Sequence, residues 1–379
     1  MTTVLVTGAN GFVGRNLVAH LRTDDQVRVR TFDKDGTEEE LRSHLAAADL
    51  IFHLAGVNRP DDPGEFETGN HGFTTHLCDE LNRLSRSPAI VFASSIQASQ
   101  DSAYGISKRM AESELRRFAD LTGARVRIYR LKNLFGKWGR PKYNSVTATF
   151  CYRLAHELPI TVFEPDSEIE LTYIDDVVEA FAGEISNRSD SPTDLPSIRI
   201  RVGDLAGRLQ AFHEMRESLR MADMRDEFTR RLFATYQSYV PKDLRASRLR
   251  AHTDARGTLA EFLKSEHFGQ IFVSRTTPGV TRGNHFHRTK MEKFLVLGGR
   301  GLIRLRPADG TEIETYEVRG DSFTVVDIPP GVTHSITNTG ADDMITLFWA
   351  NEIFDPDSPD TYYLPVQPEA VSLQEVMSR

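Results

Sequence analysis

From residue 4 to about residue 130, short β-branched runs at 4–6, 27–32, 50–54, 90–93 and 126–129 alternate with helix-length segments at 15–21, 38–47, 71–84 and 104–121. That rhythm predicts repeated βαβ units and a Rossmann-like, doubly wound parallel α/β sheet. Residues 144–239 are mixed, with two more helical periods around 174–185 and 205–219. In doubly wound enzymes such an appendage covers the crevice beyond the strand ends. Past Val240 the chain runs through Pro241 and a polar, Arg-rich stretch, so 240–250 is read as a linker between a first domain, 1–245, and a second, 246–379. Beyond it helical periods nearly vanish. Strands recur at 270–275, 292–297, 301–306, 312–318, 323–328, 334–338 and 344–349, parted by turn signals such as Asp309-Gly310 and Pro329-Pro330-Gly331. An antiparallel all-β barrel or jelly roll follows.

The 379 residues and a 39% hydrophobic content allow two cores and exclude a single small module. Lys and Arg number 46 against 54 for Asp and Glu, a net charge of −8, which argues against nucleic acid as the principal partner. No apolar run approaches the roughly 18 residues of a membrane span, and the chain enters a strand pattern directly, so no membrane partner is expected and cytoplasmic residence is the default. Only Cys78 and Cys151 occur, far apart and in helical patterns, which excludes a disulfide framework and a cysteine-ligated zinc site.

Residues 7–14 read Thr-Gly-Ala-Asn-Gly-Phe-Val-Gly at the junction of the first strand and first helix. Gly8, Asn10, Gly11, Phe12, Val13 and Gly14 are therefore candidates to cradle a dinucleotide pyrophosphate at the helix N-terminus. Leu54, Ala55 and Gly56 close the third strand on small residues, where backbone can approach a nicotinamide ribose. Ser94-Ser95 ends the fourth strand, and Tyr104 and Lys108, four apart, share one face of the next helix. A lysine ammonium there lowers the tyrosine pKa and binds a ribose hydroxyl, a serine orients the substrate oxygen, and Tyr104 donates a proton to a carbonyl. Asp33, about 19 residues past Gly14, suits the ribose 2′-hydroxyl of NAD(H), whereas adjacent Lys34 suits the 2′-phosphate of NADP(H).

These motifs resemble the extended short-chain dehydrogenase/reductase family over about residues 1–240, together with Asn70, the Arg130 to Gly136 stretch and the Tyr173 to Val178 stretch. The resemblance implies that Ser95 completes the catalytic set with Tyr104 and Lys108, and that Asn133 and Asn144 face a nucleotide-sugar substrate.

In the second domain Gly279 is followed after five residues by His285-Phe286-His287, after four more by Glu292, and after six by Gly299, with His334 entering from a later strand. Three imidazoles and a carboxylate suit zinc or another divalent metal. The spacing resembles the cupin family, except that eight residues rather than five separate Gly320 from Pro329. Asp254, Arg256, Gly257 and Glu261, with Gln270 and the Gly279 to His285 stretch, also resemble cupin-fold 3,5-epimerases of dTDP-4-keto-6-deoxy sugars. That likeness implies a general-base role for His285 and phosphate contacts from Arg256 and Arg282, so the base and ligand readings of His285 both stand. Lys290, Lys293 and Tyr316 are further acid or base candidates, unranked.

The combination resembles the CapF-type bifunctional enzymes of UDP-N-acetyl-L-fucosamine synthesis in capsular polysaccharide assembly, on the His53 to Pro60, Asn133 to Trp138 and Tyr143 to Val146 stretches and on Phe354-Asp355-Pro356 with Asp360-Thr361-Tyr362. The resemblance implies a cytoplasmic homodimer acting on a UDP-linked 4-keto-6-deoxy-N-acetylhexosamine: the cupin epimerises carbon 3, and the reductase domain uses NADPH to reduce the carbon 4 ketone to the L-talose product. An NAD-dependent 4-epimerase or dehydratase with a structural cupin, and a non-catalytic sugar-nucleotide sensor, are the alternatives.

Overall fold

The computed structural model describes residues 1–60, 62, 64–186 and 193–367. It divides into two compact units, Met1–His213 with Arg225–Arg245, and Glu214–Met224 with Ala246–Arg379. Within the second unit the Met221 N–H bonds to the Lys264 carbonyl, and the Lys264 N–H to the Leu219 carbonyl. The hydrophobic pattern carries no sign of this excursion by residues 214–224. Among the described residues no helix is long and apolar enough to cross a membrane.

The first unit contains strands β1 (Thr2–Thr7), β2 (Val27–Phe32), β3 (Leu50–His53), β4 (Ala89–Ser95) and β5 (Val126–Leu131). They form one parallel sheet in the order β2-β1-β3-β4-β5. Side chains alternate across it. Val4 and Val6 join a core with Leu17, Val18 and Leu21 of helix α1 (Phe12–Leu21), while Leu5 joins the opposite core against α2 (Glu38–Ala47), α3 (Phe73–Arg83) and α4 (Ala103–Thr122). Burial on both faces explains why the inner strands β1, β3 and β4 read as apolar runs, whereas β2 and β5 at the sheet edges carry arginines on alternate or scattered positions. Local chemistry sets the helix ends: a Thr37–Glu40 capping box opens α2, Ser102 accepts the Gly105 N–H to open α4, and Gly123, at φ 71°, closes α4.

Helix α3 starts two residues later than the pattern predicts, because a π-helical turn, Glu67–Gly72, precedes it. A small sheet of β6 (Asn133–Phe135), β7 (Glu168–Tyr173) and β8 (Ile198–Arg201) adds to this unit. Alongside it lie α5 (Val146–Ala155), α6 (Ile174–Gly183), α7 (Val202–Ser218) and α8 (Glu227–Gln237). The pattern predicts α6 and α7 but neither α5 nor α8.

The second unit is a jelly roll of two antiparallel sheets. Its strands are β9 (Ala251–Asp254), β10 (Gly257–Ser265), β11 (Gly269–Thr276), β12 (Thr281–Phe286), β13 (Glu292–Gly298), β14 (Arg300–Pro307), β15 (Glu314–Arg319), β16 (Val325–Ile328), β17 (Val332–Asn338), β18 (Met344–Ala350) and β19 (Tyr362–Tyr363). One sheet runs β16-β13-β18-β11-β10-β9 and the other β15-β14-β17-β12-β19, with Phe294, Ile303, Leu305, Ile336 and Phe348 between them. The strand expected at 323–328 begins at Val325, since Phe323 sits in the preceding turn at φ 47°. The apolar pattern does not mark strand β12, although the His285 and His287 spacing places both on one strand face: its polar residues interrupt the alternation, a bulge between Gly283 and His285 breaks its period, and it ends at Phe286, one residue before His287.

Candidate functional site

Each unit holds one cluster of reactive side chains. In the first, Gly8 adopts φ 69°, and a Cβ there would lie 2.7 Å from the Ala55 backbone; a Cβ on Gly14 would lie 2.2 Å from the Gly8 carbonyl. The glycines thus let the loop, the third strand end and α1 close together. No side chain caps the start of α1, so its first N–H groups are available to an anion. The fit to a dinucleotide pyrophosphate is good. A neighbouring cavity of about 420 Å³ is lined by Asn10, Arg15, Arg22, Asp33 and Trp138. Asp33 accepts the Asn10 N–H at 2.9 Å, and burial pushes its pKa up. Lys34 is exposed and lies outside the lining of this cavity.

The two serines ending β4 have different occupations. Buried Ser94 donates to buried Glu112 at 2.6 Å, and the exposed Arg130 guanidinium pairs with the same carboxylate. Ser95 accepts the Gln97 N–H at 3.2 Å and lies near enough to the Tyr104 hydroxyl to influence its titration. Tyr104 is mainly affected by burial, which raises its pKa; Ser95 draws it partly back, and nearby Tyr143 raises it again. The expected lowering is therefore replaced by a net rise, which keeps Tyr104 protonated at neutral pH as a proton donor must be. Lys108 is buried and donates to the Ala93 carbonyl at 2.8 Å; burial pulls its pKa down to about 8, against an opposing pull from Glu112. A Cβ on Gly56 would lie 3.3 Å from Lys108 Nζ and 2.7 Å from Asn70 Oδ1. Asn70 bonds both backbone groups of Val57 and also Ser107, fixing the Leu54 to Gly56 segment beside α4. His53 bonds Thr7 and Thr74, and burial, with Lys108 adding, pushes its pKa down to about 3, so it stays neutral.

A second cavity, about 450 Å³, is lined by Arg59, Lys142, Tyr143, Phe150 and Phe163. Tyr143, on this lining, is near enough to Tyr104 to raise its pKa. Asn144 is exposed between two lining residues, Tyr143 and Ser145, and Asn133 is exposed with its amide on the Glu170 carbonyl. Neither of these asparagines lines the cavity. Arg59, Tyr143 and Phe163 were missed from sequence because they come from separate loops and carry no fixed spacing.

In the second unit one ligand atom from each of His285, His287, Glu292 and His334 lies within 4.8 Å of the others. The pairing of His285 with His334 across β12 and β17, and the placement of Glu292 at the start of β13, produce this convergence. His287 Nε2 and His334 Nε2 are 3.3 and 3.2 Å from Glu292 Oε2, yet all three atoms are buried without a hydrogen bond of acceptable geometry. Buried polar atoms that converge unpaired fit a divalent metal. Burial chiefly pushes His285 down to about 4, aided by the two neighbouring imidazoles. Burial would raise Glu292, but its contacts with His287 and His334 outweigh that and hold it well below the usual carboxylate range.

Arg256 is committed to Asp254 through Nε and Nη2. Arg282 bonds Thr276 through Nε, while its Nη2 is buried without a partner. Among the acid or base candidates, Lys293 pairs with Asp327 and Tyr316 bonds Glu314, both substantially exposed, whereas Lys290 is buried.

A dinucleotide-type sheet with a Ser, Tyr and Lys set in one unit, and a histidine-rich jelly roll in the other, define the architecture of a two-unit nicotinamide-dependent oxidoreductase. Residues 4–194 match the NAD dependent epimerase/dehydratase family, and 252–362 match the polysaccharide biosynthesis C-terminal domain. The chain is 44% identical over 365 residues to the UDP-2-acetamido-2,6-beta-L-arabino-hexul-4-ose reductase of Pseudomonas aeruginosa, covering 95% of this chain and 97% of that protein. The crystal structure of the capsular polysaccharide assembling protein CapF from Staphylococcus aureus is 43% identical and superposes with a TM-score of 0.89, over 96% of this chain and 100% of that one. The spore coat polysaccharide biosynthesis protein SpsL of Bacillus subtilis is 28% identical over 138 residues, 34% of this chain and 91% of that protein. The chain belongs to the NAD dependent epimerase/dehydratase family and, within it, to the family of the UDP-2-acetamido-2,6-beta-L-arabino-hexul-4-ose reductase.

Proposed function

We propose that the protein converts a UDP-2-acetamido-2,6-dideoxy-4-hexulose in two steps, carbon 3 epimerisation in the cupin and carbon 4 ketone reduction in the first unit, giving UDP-2-acetamido-2,6-dideoxy-L-talose on the route to UDP-N-acetyl-L-fucosamine. The observation that carries this reading is the set of Ser95, Tyr104 and buried Lys108 at the end of β4 and the start of α4, with Lys108 held on the Ala93 carbonyl at 2.8 Å. The full-length likeness to a reductase of such a sugar supports it. Arg59 and Lys142 supply positive charge for a diphosphate, and Tyr143, Phe150 and Phe163 supply aromatic surface for a base and sugar. Ser95 orients the ketone oxygen and Tyr104 donates its proton to that oxygen. Lys108, held against Ala93, keeps positive charge beside Tyr104 and binds the coenzyme ribose. The nicotinamide supplies the hydride.

In the cupin, His285, His287, Glu292 and His334 would hold zinc or another divalent metal, which supplies Lewis acidity toward the ketone. Lys290, buried in the same unit, and His285 are the candidate acid or base groups for carbon 3, with Lys293 and Tyr316 more exposed. Arg282, with its unpaired Nη2, is suited to hold an oxygen of the substrate.

NADPH is the proposed coenzyme. Arg15 and Arg22 place two cations around the Asp33 carboxylate in one cavity, and they take the role that the sequence suggests for Lys34. Arg15→Ala is expected to raise the Michaelis constant for NADPH more than that for NADH, with Lys34→Ala changing the ratio little. An unaltered enzyme that prefers NADH, with the preference abolished by Asp33→Ala, would contradict this choice.

Reduction requires charged Lys108 and protonated Tyr104. Because Lys108 is pulled down to about 8, kcat/KM for reduction is expected to be full below that pH and to fall as pH rises through it. A pH–rate profile of the free enzyme that stays flat to pH 9.5 would refute this role. The proposal includes a homodimer. The outward row of Val325, Leu295, Leu347 and Val273 across the larger sheet supports it as an apolar strip, and sedimentation equilibrium reads the mass.

The direct test of the overall reading is coenzyme oxidation with UDP-linked and dTDP-linked 4-keto sugars. Stoichiometric consumption with the UDP sugar is expected. A 4-epimerase that recycles its bound coenzyme would show none.

A further inference from the structure

Among the described residues of the C-terminal segment none joins the four candidate metal ligands, yet Asp360 reaches the loop that joins two of them. Its carboxylate accepts the backbone N–H groups of Arg288, Thr289 and Lys290 at 2.9 Å each, and the Thr289 hydroxyl at 3.1 Å. These three successive residues lie between His287 and Glu292. The Asp360 main-chain carbonyl also accepts a hydrogen bond from His287 Nδ1. A protonated Nδ1 leaves Nε2 as the lone-pair nitrogen, and it is Nε2 that faces Glu292.

We propose that Asp360 is a positioning residue for the metal centre, fixing the 288–290 loop through its carboxylate and the His287 tautomer and ring orientation through its carbonyl. The proposal rests on the metal-centre reading given above.

The segment that follows is anchored strongly enough to serve as a rigid support. Tyr362 and Tyr363 pair with Phe286 and His285 on β12, and the Tyr362 ring stacks on Phe286 with 5.3 Å between centroids. The Arg288 guanidinium lies 4.4 Å over the Tyr362 ring. Further along, the Leu364 N–H bonds the Asn284 carbonyl, and buried Arg306 donates to the carbonyls of Pro365 and Val366. Asp360 therefore transmits a fixed backbone position to the loop, instead of moving with it. A loop of four residues between two ligands has little freedom of its own once three of its N–H groups are held. Without the carboxylate those groups turn to water, and the separation of His287 from Glu292 is no longer set before the ion arrives.

Groups that orient a metal-binding histidine typically account for 10- to 100-fold in metal affinity. The test uses the full chain, stripped of metal, with zinc titrated against a chromophoric chelator and cobalt(II) as a spectroscopic probe. Asp360→Ala is expected to weaken zinc binding by about 10- to 100-fold and to alter the cobalt absorption bands. Asp360→Asn, which keeps an acceptor oxygen, should fall between the unaltered chain and Asp360→Ala, and it carries the test alone if Asp360→Ala does not fold. Asp355→Ala, whose carboxylate closes a local turn with Asp357, should leave both readouts unchanged. If both Asp360 variants lower the melting temperature of the metal-free protein but keep the zinc affinity and cobalt spectrum of the unaltered chain, Asp360 is only a structural anchor and the proposal is overturned. An unaltered chain that binds neither ion overturns the metal reading beneath it, a different failure from the first.

Discussion

Tyr104→Phe is expected to lower ketone reduction by about 10²-fold or more, the range for loss of a positioned general acid, with little change in substrate binding. The substitution removes one oxygen and leaves the ring, so its packing against Phe66 at 5.7 Å is retained and the fold is not at issue. Burial holds the hydroxyl protonated, and Ser95 directs it. Once the hydroxyl is gone, the developing alkoxide at carbon 4 loses its positioned proton donor, and a water or a less well placed side chain must supply the proton. Single-turnover reduction with saturating coenzyme separates the chemical step from binding. Near-normal turnover would remove Tyr104 from the mechanism.

The second large effect is expected from His334→Ala. His334 is 1% exposed, packs against Phe294 at 5.5 Å, and faces Glu292 with an unpaired nitrogen. Truncation removes one of the four proposed ligands and leaves Glu292 with one imidazole contact fewer inside the jelly roll. Zinc content and thermal stability should fall together, since binding to the folded state alone stabilises it by about 4 kcal/mol when free metal exceeds its Kd 1,000-fold. Metal analysis and thermal unfolding with and without added zinc read both. An unchanged metal content would contradict the ligand assignment. Finding no metal in the unaltered protein, with His285→Ala alone stopping proton exchange at carbon 3, would return His285 to the base role.

Much of the first unit is legible because a doubly buried parallel sheet writes itself as apolar runs, and because α2 and α4 carry explicit caps at Thr37 and Ser102. The reactive set is legible for a related reason: Tyr104 and Lys108 share one helix face by spacing alone. The appended elements are harder to read. Helix α8 does carry Asp226 as N-cap, with Phe228, Leu232 and Tyr236 four apart, but its segment is otherwise polar and its amphipathic face has meaning only against α5 and α7. Strand β12 holds His285 and Arg282, and its period is broken by the bulge at Asn284, whose φ is 60°. That bulge lets residues three apart, paired with Ile336 and His334 of the same β17 face, both turn inward. Sequence spacing could place His285 beside His287 but could not show that Arg282 shares their interior. The aromatic and cationic lining supplied by Arg59, Tyr143 and Phe163 depends on loop closure between distant segments, which no local pattern encodes.

The central claim is a division of labour between the two reactive clusters. Its most direct test is the fate of the carbon 3 hydrogen when full-length Tyr104→Phe is incubated in deuterium oxide with the UDP-linked 4-keto sugar and no nicotinamide. The account predicts exchange of that hydrogen at close to the unaltered rate, and loss of the exchange when His334→Ala is added. Exchange that disappears in Tyr104→Phe alone, or persists at full rate in the double variant, would contradict it.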